Sequence, residues 1–166
     1  MNNNKRTEKF NKVANLLTHL EPMKYKFQNS NQKRGDLYRQ FTIPKMKGTS
    51  DVKIHFEINH RKEFGKIQVG FHYEPPAHRL PETQDELVRL LRWRLLGFIQ
   101  DNPELEYSTV WYNKKKIRAS QKGIVHPYEG LSIHKEVDED IRWQDLFAVS
   151  SKFLEDYYEN FVEVLN

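Results

Sequence analysis

The chain reads as an α+β fold built on a mainly antiparallel sheet. Three observations predict it. Three stretches between residues 23 and 73 alternate apolar and polar side chains with a period of two. Three longer stretches carry apolar residues at the helical period. The strands come in runs with short connections instead of alternating one by one with helices, which favours antiparallel pairing. The predicted order is α-β-β-β-β-α-β-β-α, with residues 1–166 as a single domain and residues 1–6 as a frayed tail.

Each element has its own pattern. Phe10, Val13, Ala14, Leu17 and Leu20 form one helical stripe, and Pro22 ends it. Met23, Tyr25 and Phe27 alternate with Lys24 and Lys26, the polar stretch Asn29 to Gly35 turns the chain, and Leu37 to Ile43 reads as the next strand. Val52, Ile54, Phe56 and Ile58 alternate with Lys53, His55, Glu57 and Asn59. Ile67, Val69, Phe71 and Tyr73 alternate with Gln68, Gly70, His72 and Glu74, with Asn59 to Gly65 as the hairpin loop between them. Pro75, Pro76 and Pro81 stiffen the following loop. Thr83 and Glu86 have capping-box spacing, and Leu87, Leu90, Leu91, Leu95 and Phe98 form the core stripe of a second helix. Tyr107 to Tyr112 is β-rich, Asn113 to Lys115 is a turn, Lys116 to Gln121 is its partner strand, Gly123 to Gly130 is loop and Leu131 to His134 a short extra strand. From about Asp140 the helical period returns through Trp143, Leu146, Phe147, Ser150, Phe153, Leu154, Tyr157, Phe161 and Leu165. Glu155, Asp156, Glu159 and Glu163 fall on the wet side of that last helix.

Composition narrows the function classes. The 166 residues suffice for a real core, and 13% aromatic content argues against disorder. There is no cysteine, which excludes a disulfide scaffold, a thiol nucleophile, an iron–sulfur cluster and a Cys-ligated zinc. No apolar run approaches the ~18 residues of a membrane span. The start, Met1 to Arg6, is polar with no apolar stretch after it, so no secretory signal and a cytoplasmic location are expected. No Gly-rich phosphate loop and no nucleophile-elbow motif occur, and no cofactor is expected. Charge is divided along the chain: residues 1–125 carry a formal +11 and residues 126–166 a formal −7. A basic body of this kind attracts phosphates or acidic partners.

Two surface sets are candidates for binding. Lys114, Lys115, Lys116, Arg118 and Lys122 lie on or beside one predicted hairpin, with Tyr107, Trp111 and Tyr112 on the adjacent strand. Cations neutralise phosphates and aromatic faces stack on unpaired bases, a mixture suited to single-stranded nucleic acid. A solvated, edge-protecting hairpin tip over core aromatics has the same pattern. Arg89, Arg92, Trp93 and Leu96 form a second stripe on the second helix, rich in the residue types of interface hot spots. The alternative is a broad core stripe with snorkelling arginines.

The histidines are read as scattered surface residues. His55 and His72 fall on the outward face of neighbouring strands and His60 in the loop between them; cross-strand histidines can bind zinc, and a pair can perform acid–base work. No close His-x-His or His-Glu-x-x-His spacing marks a metal site, so neither metal ligands nor catalytic residues are expected. Asp36 with Asp51-Val52-Lys53 can be stretched to the acid and (D/E)-x-K element of a Mg²⁺ nuclease, but Asp51 follows the turn-like Gly48-Thr49-Ser50 and no further acid anchors it. The acidic last helix is an amphipathic packing helix, a mimic of a nucleic-acid backbone or a ligand for a basic protein groove.

The paired pattern Val52-Lys-Ile-His-Phe-Glu-Ile58 and Lys66-Ile-Gln-Val-Gly-Phe-His-Tyr-Glu74 resembles that of an uncharacterised prokaryotic domain family. So does the ending from Ile117 and Arg118 through Asp140 to Leu146 and on to Phe161. That family accompanies restriction-endonuclease-like proteins. The resemblance carries no catalytic residue; it implies a setting of prokaryotic defence or phage counter-defence, compatible with an anti-CRISPR-like inhibitor. The leading expectation is a non-enzymatic module engaging a protein or ribonucleoprotein, with single-stranded nucleic acid as a further partner and no membrane. The alternatives are a metal-dependent nuclease or nuclease-associated nucleic-acid-binding domain, and a structural subunit. The sequence leaves the oligomeric state open.

Overall fold

The computed structural model describes residues 3–20, 26–28, 37–43, 53–61, 65–74, 82–111 and 129–166. Helix α1 (Asn3–Leu20) leads into strands β1 (Lys26–Gln28), β2 (Leu37–Thr42), β3 (Lys53–Arg61) and β4 (Lys66–Glu74). Helix α2 (Glu82–Asp101), strands β5 (Glu106–Trp111) and β6 (Glu129–Asp138), and helix α3 (Trp143–Leu165) complete the order. This is the predicted α+β architecture. The strands form one sheet in the order β1-β2-β3-β4-β6-β5, and every neighbouring pair is antiparallel. Gly65 takes the left-handed backbone (φ 62°) in the tight connection from β3 to β4, where a side chain would be strained.

The alternation of β3 and β4 decides where the core sits. Ile54, Phe56 and Ile58 and their β4 counterparts Ile67, Val69, Phe71 and Tyr73 point to one side, joined by Phe41 from β2 and Leu131 and Ile133 from β6. All three helices pack there. Phe161 of α3 stacks on Phe71 at 3.8 Å, Phe153 meets the same ring at 5.2 Å, and Phe98 of α2 stands edge-on to Phe161 at 5.3 Å. Aromatic packing of this kind adds roughly 0.5–1.5 kcal/mol per pair beyond burial. The α3 stripe is buried at Leu146, Ser150, Phe153, Leu154, Tyr157, Tyr158, Phe161 and Leu165. Ser150 satisfies its hydroxyl by donating to the Leu146 carbonyl. Glu155, Asp156, Glu159 and Glu163 are exposed, as the pattern predicts.

Several expectations need correction. Residues 3–6 are not a frayed tail: α1 begins at Asn3, and Arg6 and Lys9 are buried through contacts of their polar ends. Lys9 Nζ donates to the carbonyls of Glu139 (2.7 Å) and Ile141 (3.1 Å), tying α1 to the turn before α3. Helix α2 starts at Glu82, one residue before the Thr83 of the capping-box spacing. Among the described side chains of α2, Leu91, Leu95 and Phe98 are buried as expected, while Leu90 faces outward. The Asn59 to Gly65 loop is shorter than expected, since β3 runs on through Asn59, His60 and Arg61. The short strand expected at 131–134 is a ten-residue strand between β4 and β5. The expected strand Lys116 to Gln121 lies outside the described residues.

Candidate functional site

The side of the sheet away from the helices is where the chemistry concentrates. Its rows follow from the register. Thr42 of β2, His55 of β3, His72 of β4, Ser132 of β6 and Ser108 of β5 form one row. Gln40, Glu57, Gly70, His134 and Glu106 form the next. An alternating strand says only that its two sides differ; here the polar side is buried too. His55, Glu57 and His72 are 5%, 4% and 5% exposed. They are not scattered surface histidines, and this overturns the expectation.

The three side chains meet. His55 and Glu57 share a face because they are two residues apart on β3, and His72 lies directly opposite His55 on β4. The two imidazoles stack with centroids 5.1 Å apart and planes within 20°. His55 Nε2 lies 3.2 Å from one Glu57 oxygen and His72 Nδ1 lies 2.8 Å from the other. Asn59 Nδ2 donates to Glu57 at 3.3 Å. Burial pushes the Glu57 carboxyl up, but the charge of His72 and the hydrogen bonds and charge of the two rings outweigh it, holding Glu57 well below the usual carboxylate range. The centre is therefore an anionic carboxylate enclosed by two ring nitrogens.

A second group sits one strand further on, where His134 of β6 faces Glu136 at 3.6 Å and Glu106 of β5 at 4.0 Å. Its His134 Nδ1 pairs with the Ser132 hydroxyl at 3.1 Å. Burial lowers the pKa of His134, partly offset by the two carboxylates. Both acids reach toward solvent, unlike Glu57. Gly70 occupies the row position between Glu57 and His134. A Cβ there would lie 2.0 Å from the Ile133 carbonyl oxygen, so β4 approaches β6 only because residue 70 has no side chain.

His60 stands on the helix side at the end of β3, not in a loop. Arg6 Nη1 donates to its Nδ1 at 3.2 Å, and its Nε2 donates to Glu139 at 2.9 Å. Burial lowers its pKa, with Arg6 and Lys9 adding to the effect and Glu139 opposing it.

The binding stripe predicted on α2 divides. Arg92 turns inward and is 4% exposed, within electrostatic reach of the Tyr73 phenol, whose pKa burial pushes up. Trp93 turns outward and is 73% exposed, with Leu90 beside it on the helix at 42%. Arg89 belongs to α2, but its side chain is outside the described residues, as are the Trp111 side chain at the end of β5 and all of Tyr112, Lys114, Lys115, Lys116, Arg118 and Lys122. Tyr107 is exposed on the edge strand β5. Asp36 and Asp51 also lie outside the described residues, so the acids of the stretched nuclease pattern have no described position.

Sequence reasoning missed Glu57, Asn59, His134, Glu106 and Glu136. The signal for the first was present: His-x-Glu on a strand places both side chains on one face, and a histidine on the next strand at the same pleat completes a set. No family model, curated protein or solved structure matches the chain. Among the described residues no helix is long and apolar enough to cross a membrane.

Proposed function

We propose that the chain is a non-enzymatic binding module that engages a protein or ribonucleoprotein, with the outer face of α2 as part of the contact. The observation that carries this reading is Trp93. An indole can bury 150–250 Å², roughly, on contact, and Trp is among the residue types enriched at interface hot spots. Here it is 73% exposed on an ordered helix whose opposite stripe, Leu91, Leu95 and Phe98, already fills the core. Leu90 extends the same apolar surface. The formal +11 of residues 1–125 supports a partner bearing negative charge, with Lys114, Lys115, Lys116 and Arg118 as its contacts. The resemblance of 52–58 and 66–74 to a domain accompanying restriction-endonuclease-like proteins suggests the setting, in which an inhibitor of a defence complex fits.

The test is affinity capture from the native host with and without nuclease treatment, comparing the wild type with Trp93→Ala and with a quadruple alanine variant of Lys114, Lys115, Lys116 and Arg118. The reading expects a discrete partner lost from both variants, with salt dependence flattened in the quadruple one. The same proteins captured by all three chains contradict it. Cleavage of single- or double-stranded substrates with Mg²⁺ or Mn²⁺, lost on Asp51→Ala, would replace it with the nuclease reading.

A further inference from the structure

We infer that His55, Glu57 and His72 form a binding site for a first-row divalent metal ion, with Zn²⁺ as the best fit. The inference is independent of the binding reading above. It begins with the donor set. Two imidazole nitrogens and one carboxylate are ligands that zinc takes, and with no cysteine in the chain a zinc site has to be built from such groups.

Geometry supports it next. The donor atoms all lie within 4.8 Å of one another, a property shared by only two groups among the described residues. Bonds of roughly 2.0–2.2 Å put neighbouring ligand atoms about 2.9–3.4 Å apart, depending on whether the ion is octahedral or tetrahedral. His55 Nε2 lies 3.2 Å from one Glu57 oxygen and His72 Nδ1 lies 2.8 Å from the other, so each ring nitrogen stands at ligand spacing from the carboxylate. An ion held by both ring nitrogens and a Glu57 oxygen replaces these hydrogen bonds through rotation of the three side chains. Each ring presents its lone pair by taking the tautomer protonated on its other nitrogen.

Position argues the same way. The ligands come from the paired residues of β3 and β4, near the middle of the sheet and not from a loop. Such a site is preorganised by the ladder itself. Beside it, the Asn59 Oδ1 atom is buried with no hydrogen-bond partner, although Asn59 donates through Nδ2 to Glu57. A buried acceptor left unmatched costs roughly 1–3 kcal/mol, and a cation or its bound water next to Glu57 would satisfy it. Three protein ligands leave a coordination position for that water.

The neighbouring group Glu106, His134 and Glu136 is the weaker candidate. It has a single imidazole, its carboxylates are solvated, and its distances of 3.6 and 4.0 Å are longer. It serves as the internal comparison.

The experiment uses the full chain, stripped with a chelator and titrated with Zn²⁺, with Co²⁺ as the spectroscopic probe. The expected result is one ion per chain, visible ligand-field absorption with Co²⁺, and a melting temperature raised by roughly 5–10 °C at about 100-fold excess over Kd. Glu57→Gln and His72→Gln should abolish the shift and His134→Gln should keep it. Histidine-selective NMR needs no variant and guards against misfolding: Zn²⁺ should perturb the rings of His55 and His72 and spare that of His60. No stoichiometric binding by the wild type overturns the inference. So does a shift that survives His72→Gln, or one that is lost only in His134→Gln.

Discussion

Gly70→Ala is the substitution whose cost follows most directly from the architecture. The added methyl would stand 2.0 Å from the Ile133 carbonyl oxygen, 2.6 Å from His134 Cα and 2.7 Å from His134 Cβ. The nearest two are backbone atoms, so no rotamer change relieves the contact. β4 must move away from β6, and the ladder from Lys66↔Asp138 to Tyr73↔Leu131 runs through that seam. Overpacking costs typically 1–3 kcal/mol when side chains can yield; with backbone on the other side the upper end applies, about 3 kcal/mol. For a chain of this length that lowers the melting temperature by roughly 6–12 °C. Gly97→Ala is the matched control. It sits inside α2 with nothing within 4 Å of the new Cβ, so the same chemical change should stabilise by about 0.5–1 kcal/mol through helix propensity. Thermal melts followed by circular dichroism, with urea titrations beside them, measure both. A Gly70→Ala melt within about 1 kcal/mol of wild type would refute the close approach of β4 to β6 and the row that places Glu57 and His134 on either side of it.

Other outcomes follow from single contacts. Lys9→Met keeps the apolar stem but removes the ammonium that holds the Glu139 and Ile141 carbonyls, and should cost about 2 kcal/mol in a urea titration. His60 has a pKa below its ordinary 6.5 because burial disfavours the imidazolium. The unfolded chain thus binds its proton first, and its stabilising contribution, full above about pH 6.5, is lost as pH falls toward the folded value. His60→Gln should show a shallower loss of stability than wild type between pH 7 and 5; parallel curves contradict that. Phe71→Ala removes the ring that Phe161 stacks on and should destabilise by about 3–5 kcal/mol, whereas Trp93→Ala should leave the melt within about 0.5 kcal/mol.

How much of this was legible depended on whether a pattern is local. The long helix α3 could be read residue by residue because Leu146, Phe153, Leu154, Tyr157, Phe161 and Leu165 repeat at one period over about five turns. β3 and β4 were legible as strands for the same reason at period two. Their polar sides were misjudged because alternation separates two faces without saying that one is wet. β6 was mostly hidden: Glu136 and Asp138 look like turn residues, and only pairing with distant β4 and β5 makes Glu129–Asp138 one strand. The start of α1 was missed because Arg6 and Lys9 are buried by what their polar ends contact, which a count of apolar positions cannot register. At the site, His55 and His72 were visible as a cross-strand pair, but joining them to Glu57 required the register of β3 against β4. The division of Arg92 from Trp93 arose from neighbouring positions on α2 that straddle the boundary of its buried face.

The most direct measurement is diffraction at the zinc absorption edge from crystals of the full chain grown with saturating Zn²⁺. The account expects one anomalous peak about 2.0–2.2 Å from His55 Nε2, His72 Nδ1 and a Glu57 oxygen, on the side of the sheet away from the helices. Both imidazoles still hydrogen-bonded to Glu57, with no peak between them, would contradict it.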